Sequence, residues 1–234
     1  MSQQRIWEYY QSASLDTFAS AAPRLGYLVQ LAARMSTPHQ LRVLNVGIGD
    51  ATLERLAQAR GWDVHALDPT RDAVDRCAEL GINARVGTIE ALPYSSDFFD
   101  VVFCSEVFEH LTPEELANAL PEISRILVRH GRLIGTVPHA ERLADQQVIC
   151  PRCGEIFHRW GHRQAFTARS LAETLSTEFD VQRARVHCFI DWRVLNWKGK
   201  AVGAMQKLLS AVGVHGVNEN LVFVAGKRDA VPSA

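Results

Sequence analysis

No stretch of this chain approaches the roughly 18 consecutive apolar residues that a membrane-spanning helix needs. Its first residues, Met1 to Ser14, lack the basic region and apolar run of a secretory signal, so a cytoplasmic location is expected. Neither sign of charge dominates: 25 Lys and Arg stand against 26 Asp and Glu, for a formal net charge of −1. That balance argues against a broad electrostatic hold on RNA or DNA, and no nucleic-acid partner is expected. Cysteine is scarce. Cys77, Cys104, Cys150, Cys153 and Cys188 are odd in number and irregularly spaced, and only Cys150 and Cys153 lie close together. Without an export signal, such a pair reads as metal or redox chemistry before it reads as a disulfide. Internal repeats and low-complexity tracts are also missing. What remains is 234 residues, 47% hydrophobic and 22% charged, the composition of one ordinary globular domain.

Along the chain, residues 5–35 show helical apolar spacing through Ile6, Tyr9, Tyr10, Leu25, Leu28, Leu31, Ala32 and Met35. Ser36-Thr37-Pro38 breaks that run. Leu41 to Gly47 is a short, β-branched run closed by glycine, the pattern of a buried strand. Helices follow over 51–60 and 70–80, stopped by Gly61 and Gly81, with strands from Trp62 to Leu67 and from Ile82 to Val86. A fourth strand runs from Phe99 to Cys104, a helix over 113–128 starts on Pro113, and a fifth strand spans Arg132 to Val137. Later come a helix over 168–178, a strand from Phe179 to Val186 and a last strand from Leu221 to Ala225. Alternation at this spacing predicts an α/β, Rossmann-like doubly wound fold with a mainly parallel, seven-stranded sheet. The chain reads as a single domain with N-terminal helices over 1–38 and a cofactor-binding half over 39–140. An insertion over 141–166 precedes a C-terminal half over 167–234, which carries a second insertion at about 190–216.

Asn45-Val46-Gly47-Ile48-Gly49-Asp50-Ala51 falls where the first strand turns into the first helix. Glycines there let a ligand lie against the backbone, and the helix amides face it. Asp68, ending the next strand, is placed to grip ribose hydroxyls. A tight turn with a capping aspartate is the plain alternative, and dinucleotide binding is another. The segment as a whole resembles the class I S-adenosylmethionine-dependent methyltransferases, in particular the group of ubiquinone- and biotin-pathway enzymes. The resemblance rests on Val43-Leu-Asn-Val-Gly-Ile-Gly-Asp50, Ala66-Leu-Asp-Pro-Thr70, Glu90-Ala-Leu-Pro-Tyr-Ser-Ser-Asp-Phe-Phe-Asp-Val-Val102 and Ser105-Glu-Val-Phe-Glu-His-Leu111, in family order over 41–137. It implies that S-adenosyl-L-methionine is the cofactor, lying against Asn45, Gly47, Ile48, Gly49, Asp68, Pro69, Thr88, Ile89, Cys104 and Ser105. The chain departs from the family at Asn45, where an acid is usual, at Ala51, where a third glycine is usual, and at Thr88, where an acid commonly meets the adenine amine. Glu90 is an alternative partner for that amine.

Cys150-Pro-Arg-Cys153-Gly-Glu-Ile-Phe-His158-Arg-Trp-Gly-His162 has the spacing C-x2-C-x4-H-x3-H. Two sulfurs and two imidazoles suit tetrahedral Zn²⁺, and on a helical turn His158 and His162 would share a face. Cys150, Cys153, His158 and His162 are therefore the expected ligands of a zinc-binding lid inserted after the fifth strand. A closed four-ligand site would staple a lid too small for its own core, and an open one would bind the acceptor. His162-Arg-Gln-Ala-Phe166-Thr167 also resembles the acceptor lid of related methyltransferases. On that reading His162 faces the substrate, with Cys188 or water completing the metal.

The expected activity is methyl transfer to the oxygen or nitrogen of a small-molecule acceptor, such as a sugar, a glycolipid intermediate or a secondary metabolite. His110, after the fourth strand, and His139, after the fifth, are the candidate general bases. Trp192, Trp197, Lys198, Lys200 and Lys207, with Val202, Met205, Leu208, Leu209 and Val212 at helical spacing, read either as a lid helix or as a basic amphipathic surface. The second reading makes peripheral membrane contact through 192–212 a candidate. A zinc-bearing RNA methyltransferase and a non-catalytic methyltransferase-like module are the alternative functions.

Overall fold

Valine and leucine alternate along the central strands, and the alternation sends successive side chains to opposite faces of one sheet. In a computed structural model, described for residues 6, 9, 18, 20–35, 40–214 and 219–228, Val43 and Leu44 belong to different cores, as do Val101 and Val102, and Leu133 and Ile134. The strands are β1 (Arg42–Val46), β2 (Asp63–Asp68), β3 (Asn83–Val86), β4 (Phe99–Ser105) and β5 (Leu127–Pro138), then β6 (Gln147–Ile149), β7 (Ile156–His158), β8 (Phe179–His187) and β9 (Asn220–Lys227). The helices are α1 (Ala22–Met35), α2 (Thr52–Gln58), α3 (Arg71–Glu79), α4 (Pro113–Ile126), α5 (Ala168–Leu175) and α6 (Trp197–Ala211).

Seven strands form one sheet in the order β3-β2-β1-β4-β5-β9-β8. The first five run parallel, and β9 lies antiparallel between β5 and β8. Leu28, Leu53 and Ala73, from α1 to α3, pack on one face. Leu116 and Ile123 of α4 and Leu171 of α5 pack on the other. The expected α/β, mainly parallel, seven-stranded architecture is what forms. Strand order reverses between β1 and β4, with β2 and β3 laid to one side and β4 and β5 to the other, and in such sheets ligands bind beyond the carboxyl ends of the strands at that point.

Local chemistry sets the boundaries. Thr112 accepts from the Glu115 amide while the Glu115 carboxylate accepts from the Thr112 amide, a reciprocal cap that starts α4 before Pro113. That helix ends at Ile126, and Leu127 already pairs with Phe99, so β5 begins earlier than the sequence pattern predicts. An irregular register between Phe99 and Val101 separates that first pairing from the rest of the ladder. The insertion contains a two-stranded antiparallel hairpin, β6-β7, with Cys150 to Glu155 at its tip.

Candidate active site

A cavity of about 1010 Å³ opens at the carboxyl ends of β1 to β5. Its wall includes Asn45, Gly47, Ile48 and Gly49 after β1, Asp68 and Pro69 after β2, Thr88, Ile89 and Glu90 after β3, and Ser105, Glu106 and Val107 after β4. Nine of the residues expected at the cofactor thus meet around one space. The Cys104 side chain is not on that wall: it is buried inside β4, because strand alternation turns it into the core beside Leu133 and Val102, and the expectation there concerned its backbone.

Backbone conformation explains the loop's composition. Gly47 and Gly49 have φ of +85° and +60°, left-handed values that glycine adopts without strain. A Cβ on Gly47 would sit 3.1 Å from Val107, and one on Gly49 would sit 3.2 Å from Phe18. Ala51 takes φ of +61° at the third glycine's place, so this chain accepts the conformation with a methyl group. Asp68 braces the loop: its carboxylate accepts from the amides of Ile48 (2.9 Å) and Thr70 (2.8 Å) and from the Thr70 hydroxyl (2.5 Å).

Asn45 stands where an acid is expected from the resemblance, and the structure supplies the reason. Its amide nitrogen donates to the Gly47 carbonyl (3.0 Å) and to the carboxylate of Glu54 (2.7 Å). Glu54 is fully buried on α2, and burial pushes its carboxyl up to about 7 despite the Asn45 bond. A second carboxylate at position 45 would face it at hydrogen-bond distance. Nothing in the sequence pattern marked Glu54, which occupies an ordinary helical position.

The opposite wall comes from the insertion and from α1. Glu141, Gln146, Arg159, Trp160, His162 and Arg163 line the cavity, together with Arg24. The Arg163 and Gln164 amides donate to the Glu109 carbonyl (2.7 and 3.2 Å), which docks the insertion on the turn after β4. His110 lines the cavity and is held neutral. Burial, then the neighbouring His162, lowers it well below the usual histidine range. His139 is not on the cavity wall: its residue bridges to Phe166 and its amide donates to the Glu219 carbonyl. Of the two expected bases, only His110 is in place.

The expected Cys2His2 zinc site is not assembled. His158 and His162 do meet, their rings stacked with centroids 4.7 Å apart. They close on Glu141, however, whose carboxylate oxygens lie 2.5 Å from His162 Nδ1 and 3.5 Å from His158 Nε2. Burial alone would raise Glu141, but its bonds and charge contacts with the two imidazoles hold it below the usual carboxylate range. Among the described residues, neither cysteine joins these histidines in a group of ligand atoms within 4.8 Å. The reason is the hairpin: Cys150 and Cys153 sit at its tip, whereas His158 ends β7 opposite Gln147, at its base. The histidines are adjacent through a turn and not through a helix. Glu141 carries no sequence signal at all.

The second insertion differs from its expectation as a lid helix. No residue of α6 lines the main cavity. It packs beside Ile190 and Trp192, leaving Trp197, Val202, Met205 and Leu208 exposed.

The comparisons with known proteins agree with this geometry. Residues 44–135 match the family model described as "Methyltransferase domain". An uncharacterized methyltransferase of Mycobacterium tuberculosis strain H37Rv is 35% identical over 94 residues, which cover 39% of this chain and 37% of that protein. The match thus spans just over a third of that relative's length. Among solved structures, the 1,6-didemethyltoxoflavin-N1-methyltransferase of Burkholderia thailandensis, with bound 1,6-didemethyltoxoflavin and S-adenosylhomocysteine, superposes with a TM-score of 0.67 at 17% identity. That alignment covers 97% of this chain and 87% of the other. The cyclase SpnF superposes with a TM-score of 0.60 at 19% identity over 88% of this chain and 81% of its own. Residues 44–135 are therefore similar to a methyltransferase domain, and the chain has the Rossmann-like fold of these solved structures.

Proposed function

We propose that this chain is an S-adenosylmethionine-dependent methyltransferase whose acceptor is a small molecule. The observation that carries the proposal is the single cavity shared by the glycine loop with Asp68 on one side and the insertion with His162 and Trp160 on the other. Two substrates need such a shared space. The cofactor half fits: Gly47 and Gly49 keep the loop free of side chains, and Asp68 stands on the cavity wall at the end of β2, where a ribose would meet it. When bound, S-adenosylmethionine supplies an electrophilic methyl group on a sulfonium. The chain's own work is then alignment, exclusion of water and activation of the acceptor.

Trp160 and Leu111 offer apolar contact to an acceptor, while Arg159 and Arg163 offer positive charge. The Burkholderia neighbour is an N1-methyltransferase with bound 1,6-didemethyltoxoflavin and S-adenosylhomocysteine, which supports an acceptor of similar scale. His110 and His162 stand on the acceptor side and are the groups in place to activate an O–H or N–H there. The fold alone does not fix the reaction, as the cyclase SpnF illustrates.

Calorimetry with S-adenosylmethionine and S-adenosylhomocysteine tests the reading. Wild type should bind both, and Asp68→Ala should weaken binding by about 1.5–3 kcal/mol, the range for a hydrogen bond to a charged group. Equal affinities in wild type and variant would remove Asp68 from the site, and no binding by wild type would leave only a methyltransferase-like module. A tritiated-methyl screen over metabolite pools then finds the acceptor.

The exposed apolar face of α6, with Lys198 and Lys200 on the same helix, favours one addition. We infer that this face leans on an anionic membrane surface, so that a lipid-linked acceptor falls within reach.

A further inference from the structure

Glu109 is fully buried, and neither of its carboxyl oxygens has a hydrogen-bond partner. A buried polar group in that condition calls for an explanation, and a bound ion is one that native structures supply. Two imidazoles stand near it, and Glu106, Arg24 and Glu141 act on its charge. One ligand atom each from Glu109, His110 and His162 lies within 4.8 Å of the other two. His110 Nε2 is 4.0 Å from Glu109.

The surrounding hydrogen bonds decide what these imidazoles can do. His162 Nδ1 is bonded to the Glu141 carboxylate, so Nδ1 carries the proton and the Nε2 lone pair is left for a ligand. One ring nitrogen of His110 donates to the Gly161 carbonyl. A carboxylate or a carbonyl behind each histidine is the usual outer support of a metal-binding imidazole. A competing triad, Glu141, His158 and His162, also lies within 4.8 Å. It fails on the same test. His158 Nδ1 accepts from the amides of Trp160 (3.3 Å) and His162 (3.1 Å), so Nε2 keeps its proton, points it at Glu141 and has no lone pair to give.

We propose that Glu109, His110 and His162 hold one divalent transition-metal cation, with Glu141 and His158 as its outer shell and the two cysteines uninvolved. Two imidazoles and a carboxylate suit Zn²⁺, Co²⁺ or Fe²⁺, and three protein ligands leave coordination positions open. His110 and His162 line the cavity, so the open side faces it. The cation then fits an acceptor with an oxygen or nitrogen donor, and His110 serves as a ligand and not as a base. That last assignment rests on the methyl-transfer reading, whereas the cation site does not.

The test is titration of chelator-treated protein with Co²⁺, followed by visible spectroscopy and calorimetry. Wild type should take up one equivalent and show ligand-field bands without a thiolate-to-cobalt charge-transfer band. Glu109→Gln and His162→Gln should each lose at least about a hundredfold in Co²⁺ affinity, and Glu141→Gln, in the outer shell, about tenfold or more. Cys150→Ser should bind as wild type does. S-adenosylhomocysteine affinity, measured on the same samples, should stay within about twofold in Glu109→Gln and so reports an intact fold. Wild type that takes up no cobalt would overturn the proposal. So would unchanged affinity in Glu109→Gln, or a charge-transfer band lost in Cys150→Ser, which would move the cation to the hairpin tip. Cobalt uptake without cofactor binding would keep the site and sink the methyl-transfer reading, and the reverse result would do the opposite.

Discussion

Glu54 sits behind the cofactor loop with the Asn45 amide as its donor, and it makes the loop sensitive to pH. Its folded carboxyl is raised from 4.5 to about 7, so the native state binds a proton that the unfolded chain has released. The resulting stabilisation is complete below about 4.5 and fades as pH rises through about 7. Glu54→Gln keeps an oxygen for Asn45 and cannot ionise. Urea midpoints should show the variant gaining on wild type as pH rises from about 5 to 7.5, and a constant difference would mean that Glu54 is ionised in the native state. Asn45→Asp tests the same pair from the other side. It sets two carboxyls against each other and should cost about 1–3 kcal/mol near neutral pH, read by the same denaturation. At this scale the sequence was informative wherever backbone conformation dictates the residue. Gly47 and Gly49 are required by positive φ, and Asp68 by the two amides and the hydroxyl that it accepts from. Glu54, Glu109 and Glu141 were not legible as a site, because a glutamate's role depends on what the fold brings to it from 9 residues away (Asn45 to Glu54) or 21 (Glu141 to His162).

Among elements, β5 is the tightest constraint. Gly135 faces Cys104 across the β4-β5 ladder, and a Cβ there would lie 1.9 Å from the Cys104 carbonyl oxygen and 2.5 Å from Phe223 of β9. Gly135→Ala should therefore destabilise by about 3 kcal/mol or more, through overpacking between three strands. Chemical denaturation checks it, and a loss under about 1 kcal/mol would show that Phe223 and the strand can yield. Thr112→Ala removes one half of the α4 cap and should cost about 1 kcal/mol. Strand and helix types were readable from apolar alternation, from Pro113 and from the glycine stops. The insertion was misread because spacing alone cannot distinguish a helical turn from a strand end followed by a tight turn. C-x2-C-x4-H-x3-H gathers four ligands only if the chain doubles back by the right amount. The β6-β7 pairing instead holds the sulfurs at one end of a hairpin and the imidazoles at the other.

Across the whole molecule, no helix among the described residues is long and apolar enough to cross a membrane. Surface contact is a different matter. Leu208 is 61% exposed, Val202 58% and Met205 57%, an apolar face that no other part of the described chain covers. If α6 leans on an anionic surface, the chain should co-sediment with anionic vesicles, bind less as salt rises, and lose binding in Met205→Glu with Leu208→Glu. Equal recovery with and without vesicles would leave the face for another partner.

The sequence by itself determined the sheet, its parallel half and the glycine-loop wall of the cavity. Those follow from side-chain periodicity and from φ values that only some residues tolerate, and both are local properties. Tertiary structure alone decided the opposite wall of that cavity. It removed His139, put Glu109 and Glu141 beside the histidines, and separated those histidines from Cys150 and Cys153. These side chains come from the turn after β4, the loop after β5 and a hairpin, so their meeting depends on how distant segments dock. Burial and hydrogen-bond partners then fix which nitrogen keeps its proton, a property that exists only once the chain has folded.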